Sequence, residues 1–241
     1  MFPAHAIDTA VDASVATYRL RELARDGSTL VRESGVAPGL RLRLEQTLAG
    51  AWAAHAALGG WATRADYAGR TQSGTPATSH TDAQALVVEA GLAWRPTDGA
   101  WRIDGALQVE RFRRHIVGTA GAAGLDERLT QPRLLLGAGW SDPVWSLDAG
   151  LVWGPRAPLD VRFDEGLFDP VTLRSGRARG ATLQARHALA ARWRIGVDAE
   201  WLDVERSLDA ALTRGGIVVG TVAQPHWRRE RIALVLQRAL D

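Results

Sequence analysis

Three of the six histidines, His80, His115 and His226, fall in long polar stretches with acidic neighbours. Asp66 and Asp82 flank His80, while Asp203, Glu205 and Asp209 precede His226. A histidine oriented by a carboxylate within hydrogen-bond reach can activate water as a general base. Six histidines scattered over 241 residues also place some beside acids by chance, and a solvated loop histidine is the competing account. Asp160, Asp164, Glu165 and Asp169 could gather a divalent cation through carboxylate oxygens. Their spacing is not that of an EF-hand, and Arg156, Arg162 and Arg174 stand close enough to neutralise them in a salt-bridged loop. Arg111, Arg113 and Arg114 suit the phosphates of lipopolysaccharide, because guanidinium matches phosphate geometry.

Other chemistry is excluded by composition. The chain has no cysteine, so disulfides, zinc-thiolate sites and thiol nucleophiles are absent. No glycine-rich phosphate loop, G-x-S-x-G elbow or H-E-x-x-H helix occurs. The formal net charge is +2, and interspersed acids break up any basic stripe, which argues against nucleic acid. Neither a catalytic residue nor a metal ligand or cofactor is assigned.

The elements that would position these residues read as strands. Trp145, Leu147, Ala149, Leu151 and Trp153 alternate with Ser146, Asp148, Gly150 and Val152, the period-two mark of a strand with one apolar face. Trp193, Ile195, Val197, Ala199 and Trp201 repeat the pattern against Arg194, Gly196, Asp198 and Glu200. Leu40, Leu42 and Leu44 alternate with Arg41, Arg43 and Glu45; Trp101, Ile103, Leu107 and Val109 alternate with Arg102, Asp104, Gln108 and Glu110. Leu86, Val88, Ala90, Leu92 and Trp94 oppose Val87, Glu89 and Gly91. Faces at Leu134–Trp140 and Ile232–Leu236, with weaker segments at Ala13–Arg25, Trp52–Thr63 and Arg179–Leu189, bring the total to ten. His55 shares the polar parity with Glu45 on the neighbouring strand, whereas His187 falls on apolar parity.

Connections alternate in length. Short ones fall at Ala49-Gly50-Ala51, Pro96-Thr97-Asp98-Gly99, Ser141-Asp142-Pro143 and Ala190-Ala191-Arg192; long ones fall at 25–38, 63–84, 112–131, 154–178 and 203–228. Gly215-Gly216 reads as a hairpin tip within the last. Short turns at one end and long loops at the other mark an outer-membrane barrel, and this count leaves both termini on the periplasmic side.

Alternation alone does not say which face points out, and a soluble calyx would put the apolar face inside. Tryptophan placement favours the membrane. Eight steps from Trp145 to Trp153 span about 20 Å of height at roughly 3.3 Å per residue and a tilt of about 40°. Trp52, Trp94, Trp101, Trp140, Trp145 and Trp193 stand beside short turns, and Trp153 and Trp201 close the other edge, as two girdles would. The opposite face carries Arg41, Arg43, Glu45, Glu89, Arg102, Asp104, Glu110, Asp148, Arg186, Asp198 and Glu200, a mutually neutralised lumen network. No apolar run is long enough for a membrane-spanning helix. Residues 1–6 include Ala4-His5-Ala6, of the A-x-A form of a signal-peptidase site, and are read as a possible signal-peptide remnant before a single barrel domain over 7–241.

In this strand-and-loop rhythm, from about Ala13 to Leu240, the chain resembles proteobacterial outer-membrane β-barrel proteins. In strand count it is most similar to the omptins. The resemblance implies a bacterial outer-membrane location, contact with the lipid bilayer and lipopolysaccharide, and insertion by the barrel-assembly machinery. Such families end on an aromatic residue, where this chain has Leu240 followed by Asp241. Omptins are proteases with an Asp pair and an Asp-x-His pair at the barrel mouth. Neither Asp-x-His nor an early Asp-x-Asp is present, so protease activity does not carry over. The expected function is non-enzymatic: envelope structure, adhesion or lipid contact. A hydrolase at the extracellular mouth is the alternative, and a narrow pore the third reading.

Overall fold

The computed structural model describes residues 7–48, 50–70, 75–96, 99–119 and 123–240. The signal-peptide reading of residues 1–6, the centres of two short turns (49 and 97–98) and the terminal Asp241 lie outside them. Among the described residues the chain is almost wholly β. In order come β1 (Ile7–Leu23), β2 (Thr29–Thr47), β3 (Trp52–Arg70), β4 (Pro76–Trp94), β5 (Trp101–Ile116), β6 (Leu125–Ser141) and β7 (Trp145–Gly154). There follow β8 (Pro158–Phe163), β9 (Val171–Arg174), β10 (Ala178–Ala190), β11 (Trp193–Val204), β12 (Ala210–Arg214), β13 (Ile217–Val222) and β14 (His226–Leu240). No helix is long and apolar enough to cross a membrane.

The strands close on themselves. β1 pairs with β14 as well as β2, and β5 with β6, so the antiparallel wall closes on itself, while β12 and β13 pair as a separate two-stranded ladder. β8 continues β7 upward along β6, and β9 leads down into β10, which makes ten wall strands. Paired residues lead around the wall from Asp104 through Gly137, Gly150, Thr182, Glu200 and Arg231. They continue through Tyr18, Gly35, Ala65 and Thr81 and meet β5 again at Ile116, twelve residues above the start. For ten strands that stagger sets a tilt of about 40° and a backbone diameter of roughly 19 Å. The fold is the transmembrane β-barrel of outer-membrane type.

Each strand changes phase part-way up. On β5 the lower outward positions are Trp101, Ile103, Leu107 and Val109, all exposed, while Arg102, Asp104 and Gln108 face inward. Higher up, outward positions become Arg111 and Arg113 and the inward one is buried Phe112. Side chains still alternate; what changes is the medium on each side. The lower outward band contacts lipid, and the upper inward band packs as a core of Tyr18, Leu20, Trp61, Phe112, Leu159 and Trp227.

This inversion revises the lengths of the connections. Segments expected as loops at 25–38, 63–84 and 112–131 are largely strand: β2 begins at Thr29, β3 runs to Arg70 and β4 starts at Pro76. The one-sided excess of chain is real, but it is a wall rising above the belt. In the last two segments the wall is broken at one height, at 155–157, 175–177, 205–209 and 223–225. There Ser175 Oγ accepts from the Ala157 amide at 3.0 Å and Ser207 Oγ from the Gln224 amide at 2.8 Å, replacing ladder bonds that the bends remove. Gly215 and Gly216, both at positive φ, turn β12 into β13 as the hairpin tip.

Candidate functional site

The lumen is where the sequence-selected charges gather. All eleven sit at inward positions of their strands. Arg41 donates to Glu89 at 2.8 Å, Arg43 to Asp12 at 2.6 Å, Arg102 to Asp148 at 2.8 Å and Arg186 to Asp198 at 2.5 Å. Glu45, opposite His55 in register, meets Arg95 at 2.6 Å. Among the described residues Asp104 accepts no hydrogen bond, and Arg102 Nε lies 4.0 Å from it. Arg41, Glu89, Asp104 and Asp148 line a cavity of about 260 Å³ that continues toward the short-turn mouth through Arg43, Glu45 and Arg102.

Above this cavity a barrier crosses the barrel. Arg229, fully buried, grips both oxygens of Glu110 at 2.9 and 2.7 Å and also reaches Glu200 at 2.7 Å. Arg133 takes Glu110 from the other side at 2.7 Å. Tyr18, Trp61, Phe112 and Trp227 form a row of rings with centroids 5.4, 6.0 and 6.1 Å apart. Arg229 lies over Trp61 and Phe112 at 5.5 and 5.2 Å, so charge and aromatic faces pack as one unit. Higher still, Arg114 serves Glu22 at 2.5 Å, Glu33 at 2.8 Å and Glu127 at 2.9 Å. Tyr18 and Thr81 hydroxyls donate to the same Glu33.

Sequence reasoning missed most of this barrier. Trp61 and Trp227 carry the inward parity of their strands, and Arg133, Arg229 and Arg231 share the parity of Leu135, Ala233 and Val235. Extending strict alternation past the apolar segments would have placed them inside. The same parity corrects the arginine trio. Arg111 and Arg113 point outward, but Arg114 faces the lumen and is 1% exposed, so the three do not form one phosphate site.

The three loop histidines do not meet. His80, His115 and His226 all lie on outward positions of β4, β5 and β14. His80 touches Arg64, His115 stands opposite Asp126, and His226 Nε2 pairs with buried Asp203 at 2.9 Å. Arg228 at 2.9 Å and Arg179 at 3.6 Å surround the same carboxylate. The acidic cluster also disperses. Asp160 accepts from the Thr172 hydroxyl, and Asp169 accepts from the Gly215 and Gly216 amides at 3.0 and 2.9 Å. Hydrogen bonds from the Gly216 amide, the Thr213 hydroxyl and the Gly215 amide hold the Asp169 carboxyl below its usual range. His187 points outward and packs on Trp145 at 4.5 Å between centroids.

Outside, Trp52, Trp94, Trp101, Trp145 and Trp193 are exposed at the short-turn end, where Trp140 is half-buried. Trp52 faces Trp94 and Trp101 faces Trp140 in register. Trp153 and Trp201 are exposed at the far edge, with Leu107, Leu151 and Leu234 between the two levels. A continuous apolar belt of this size on an outer surface marks contact with a nonaqueous partner.

No protein-family model and no curated protein matches this chain. Solved structures match it through the fold. The outer membrane protease OmpT from Escherichia coli is similar at 10% identity and a TM-score of 0.58, over 97% of this chain and 96% of that one. The translocator domain of the autotransporter NalP from Neisseria meningitidis is similar at 13% identity and a TM-score of 0.52, over 96% and 88%.

Proposed function

We propose that this chain is a non-enzymatic barrel of the bacterial outer membrane, closed to transport, whose work is envelope structure, adhesion or lipid contact. The observation that carries this reading is the barrier at Arg229, Glu110, Glu200 and the four aromatic rings, which spans the lumen. A ten-stranded barrel has little free lumen once such side chains fill it. Eight tryptophans act as the girdles, and the inward charges neutralise one another across the enclosed space. The ends of the first and last strands lie on the short-turn side, where Thr9 pairs with Leu240, and this supports periplasmic termini. The barrel-assembly machinery would insert the chain, and lipopolysaccharide would surround its upper half.

Single-channel recording in a planar bilayer tests the reading. No conductance is expected from the refolded protein, and steady ohmic steps would overturn it. A hydrolase is the second reading, favoured by the His226–Asp203 contact. It requires peptide or lipid-ester cleavage that is lost in H226Q.

A further inference from the structure

The charges around the lumen cavity below the barrier match one against another, and the match leaves two over. Asp12 holds Arg43, Glu89 holds Arg41, Asp148 holds Arg102 and Glu45 holds Arg95. Asp198 is held by Arg186 and Glu200 by Arg229. The charged residues of the cavity wall outside these pairs are Asp104 on β5 and Arg231 on β14. Arg102 Nε, 4.0 Å from Asp104, already donates to Asp148 at 3.0 Å. Among the described residues Arg231 makes no hydrogen bond or ion pair. Its guanidinium lies over the Trp61 ring at 4.7 Å, and its Nε is buried without an acceptor. An enclosed charge without a partner is costly, and two of opposite sign in one cavity suit a ligand that carries both.

Barrel geometry sets the distance between them. Paired residues lead from Asp104 through Gly137, Gly150, Thr182 and Glu200 to Arg231, so the two stand on opposite walls. Those steps cross strand spacings of about 4.8 Å inclined at about 40°, which raises Arg231 roughly 15 Å above Asp104. Arg231 therefore stands under the barrier and Asp104 toward the short-turn mouth, on the wall of the same cavity of about 260 Å³. Ala57, Gly59, Ala149 and Ala199 add small side chains to that wall. A slender chain fits such a space, and a bulky one does not.

We propose that this cavity binds a linear zwitterion, its ammonium group on Asp104 and its carboxylate on Arg231. With about 2.8 Å taken by the charge-assisted hydrogen bond at each end, the two charges of the ligand stand roughly 10 Å apart. An unbranched ω-amino acid such as 8-aminooctanoate has that length, and so do three extended residues at about 3.3–3.6 Å each. The site goes beyond the envelope role proposed above. It rests on that reading only for its roof, since the barrier makes the cavity a dead end that opens toward the short-turn mouth.

Isothermal titration of the full chain, refolded in non-ionic detergent, with 8-aminooctanoate and with tri-alanine provides the test. At least one of the two is expected to bind with submillimolar Kd, and the tighter one names the ligand's backbone. The shorter 4-aminobutanoate, whose charges lie too close together, should bind at least ten-fold more weakly. Acetylating the amine should weaken binding at least ten-fold in the parent and have little effect in D104N. Amidating the carboxylate should do the same in the parent and have little effect in R231Q. Ala57→Leu should abolish binding by filling the cavity with both charges intact, and Arg113→Leu, on the outer wall, should leave it unchanged. Heat-modifiable gel migration verifies that each variant is folded. Failure of both zwitterions to bind overturns the site. So does a loss on blocking either end that is as large in the matching variant as in the parent, and equal binding of 4-aminobutanoate overturns the 10 Å span. The conductance result is independent: a conducting barrel that binds in this pattern would refute the closed lumen and leave the site standing.

Discussion

Arg229 holds two carboxylates at once, its guanidinium bridging Glu110 and Glu200. Replacing it with Met would leave Glu200 enclosed without its partner, although Arg133 would still hold Glu110. Removing one member of a buried pair costs about 3–5 kcal/mol, so R229M should unfold at clearly lower urea than the parent by tryptophan fluorescence. An unchanged midpoint would mean that water already compensates Glu200. At the hairpin tip, Asp169 titrates below its ordinary range because it accepts amide hydrogen bonds. A depressed carboxyl contributes above the unfolded value, near 3.9, and loses that contribution as pH falls through the folded one. Amide exchange at Gly215 and Gly216 should therefore stay slow at pH 5 and quicken only below the usual Asp range. Which way each of these residues faces could be read from parity. Which acid each arginine holds could not, because the partners lie on strands far apart in sequence.

At the scale of elements, the upper wall is bent along a line where side-chain oxygens stand in for the ladder. Ser175 and Ser207 each accept an amide that would otherwise be buried without a partner. Ser175→Ala and Ser207→Ala should each cost about 1–3 kcal/mol locally, seen as faster hydrogen exchange in β8, β9, β12 and β13 with β1–β5 unaffected. The lower strands were legible because lipid outside and charge inside give clean alternation, as from Trp145 to Trp153. The upper strands were not. At Phe112 and Arg113 the apolar and polar positions exchange parity, and a pattern that changes phase reads as irregular chain.

Across the whole molecule, the belt predicts a sharp dependence on depth. Leu107 is 70% exposed at mid-belt, whereas Arg113 on the same strand already faces water or headgroups. An arginine at the bilayer midplane costs about 2–4 kcal/mol in such barrels, so Leu107→Arg should impair insertion, read as loss of heat-modifiable migration, while Arg113→Leu should insert normally. Both inserting equally well would displace the belt from this height. The sequence by itself determined the strand count and, in the lower segments, the face each residue occupies and the two tryptophan levels, since period-two alternation is local and survives without neighbours. Only the tertiary structure decided that the lumen is crossed by Trp61, Phe112, Trp227 and Arg229, and that Asp104 and Arg231 stand on opposite walls of one cavity. Those juxtapositions follow from register and a twelve-residue stagger around a closed wall, which pair residues more than a hundred positions apart and leave no mark on any single strand.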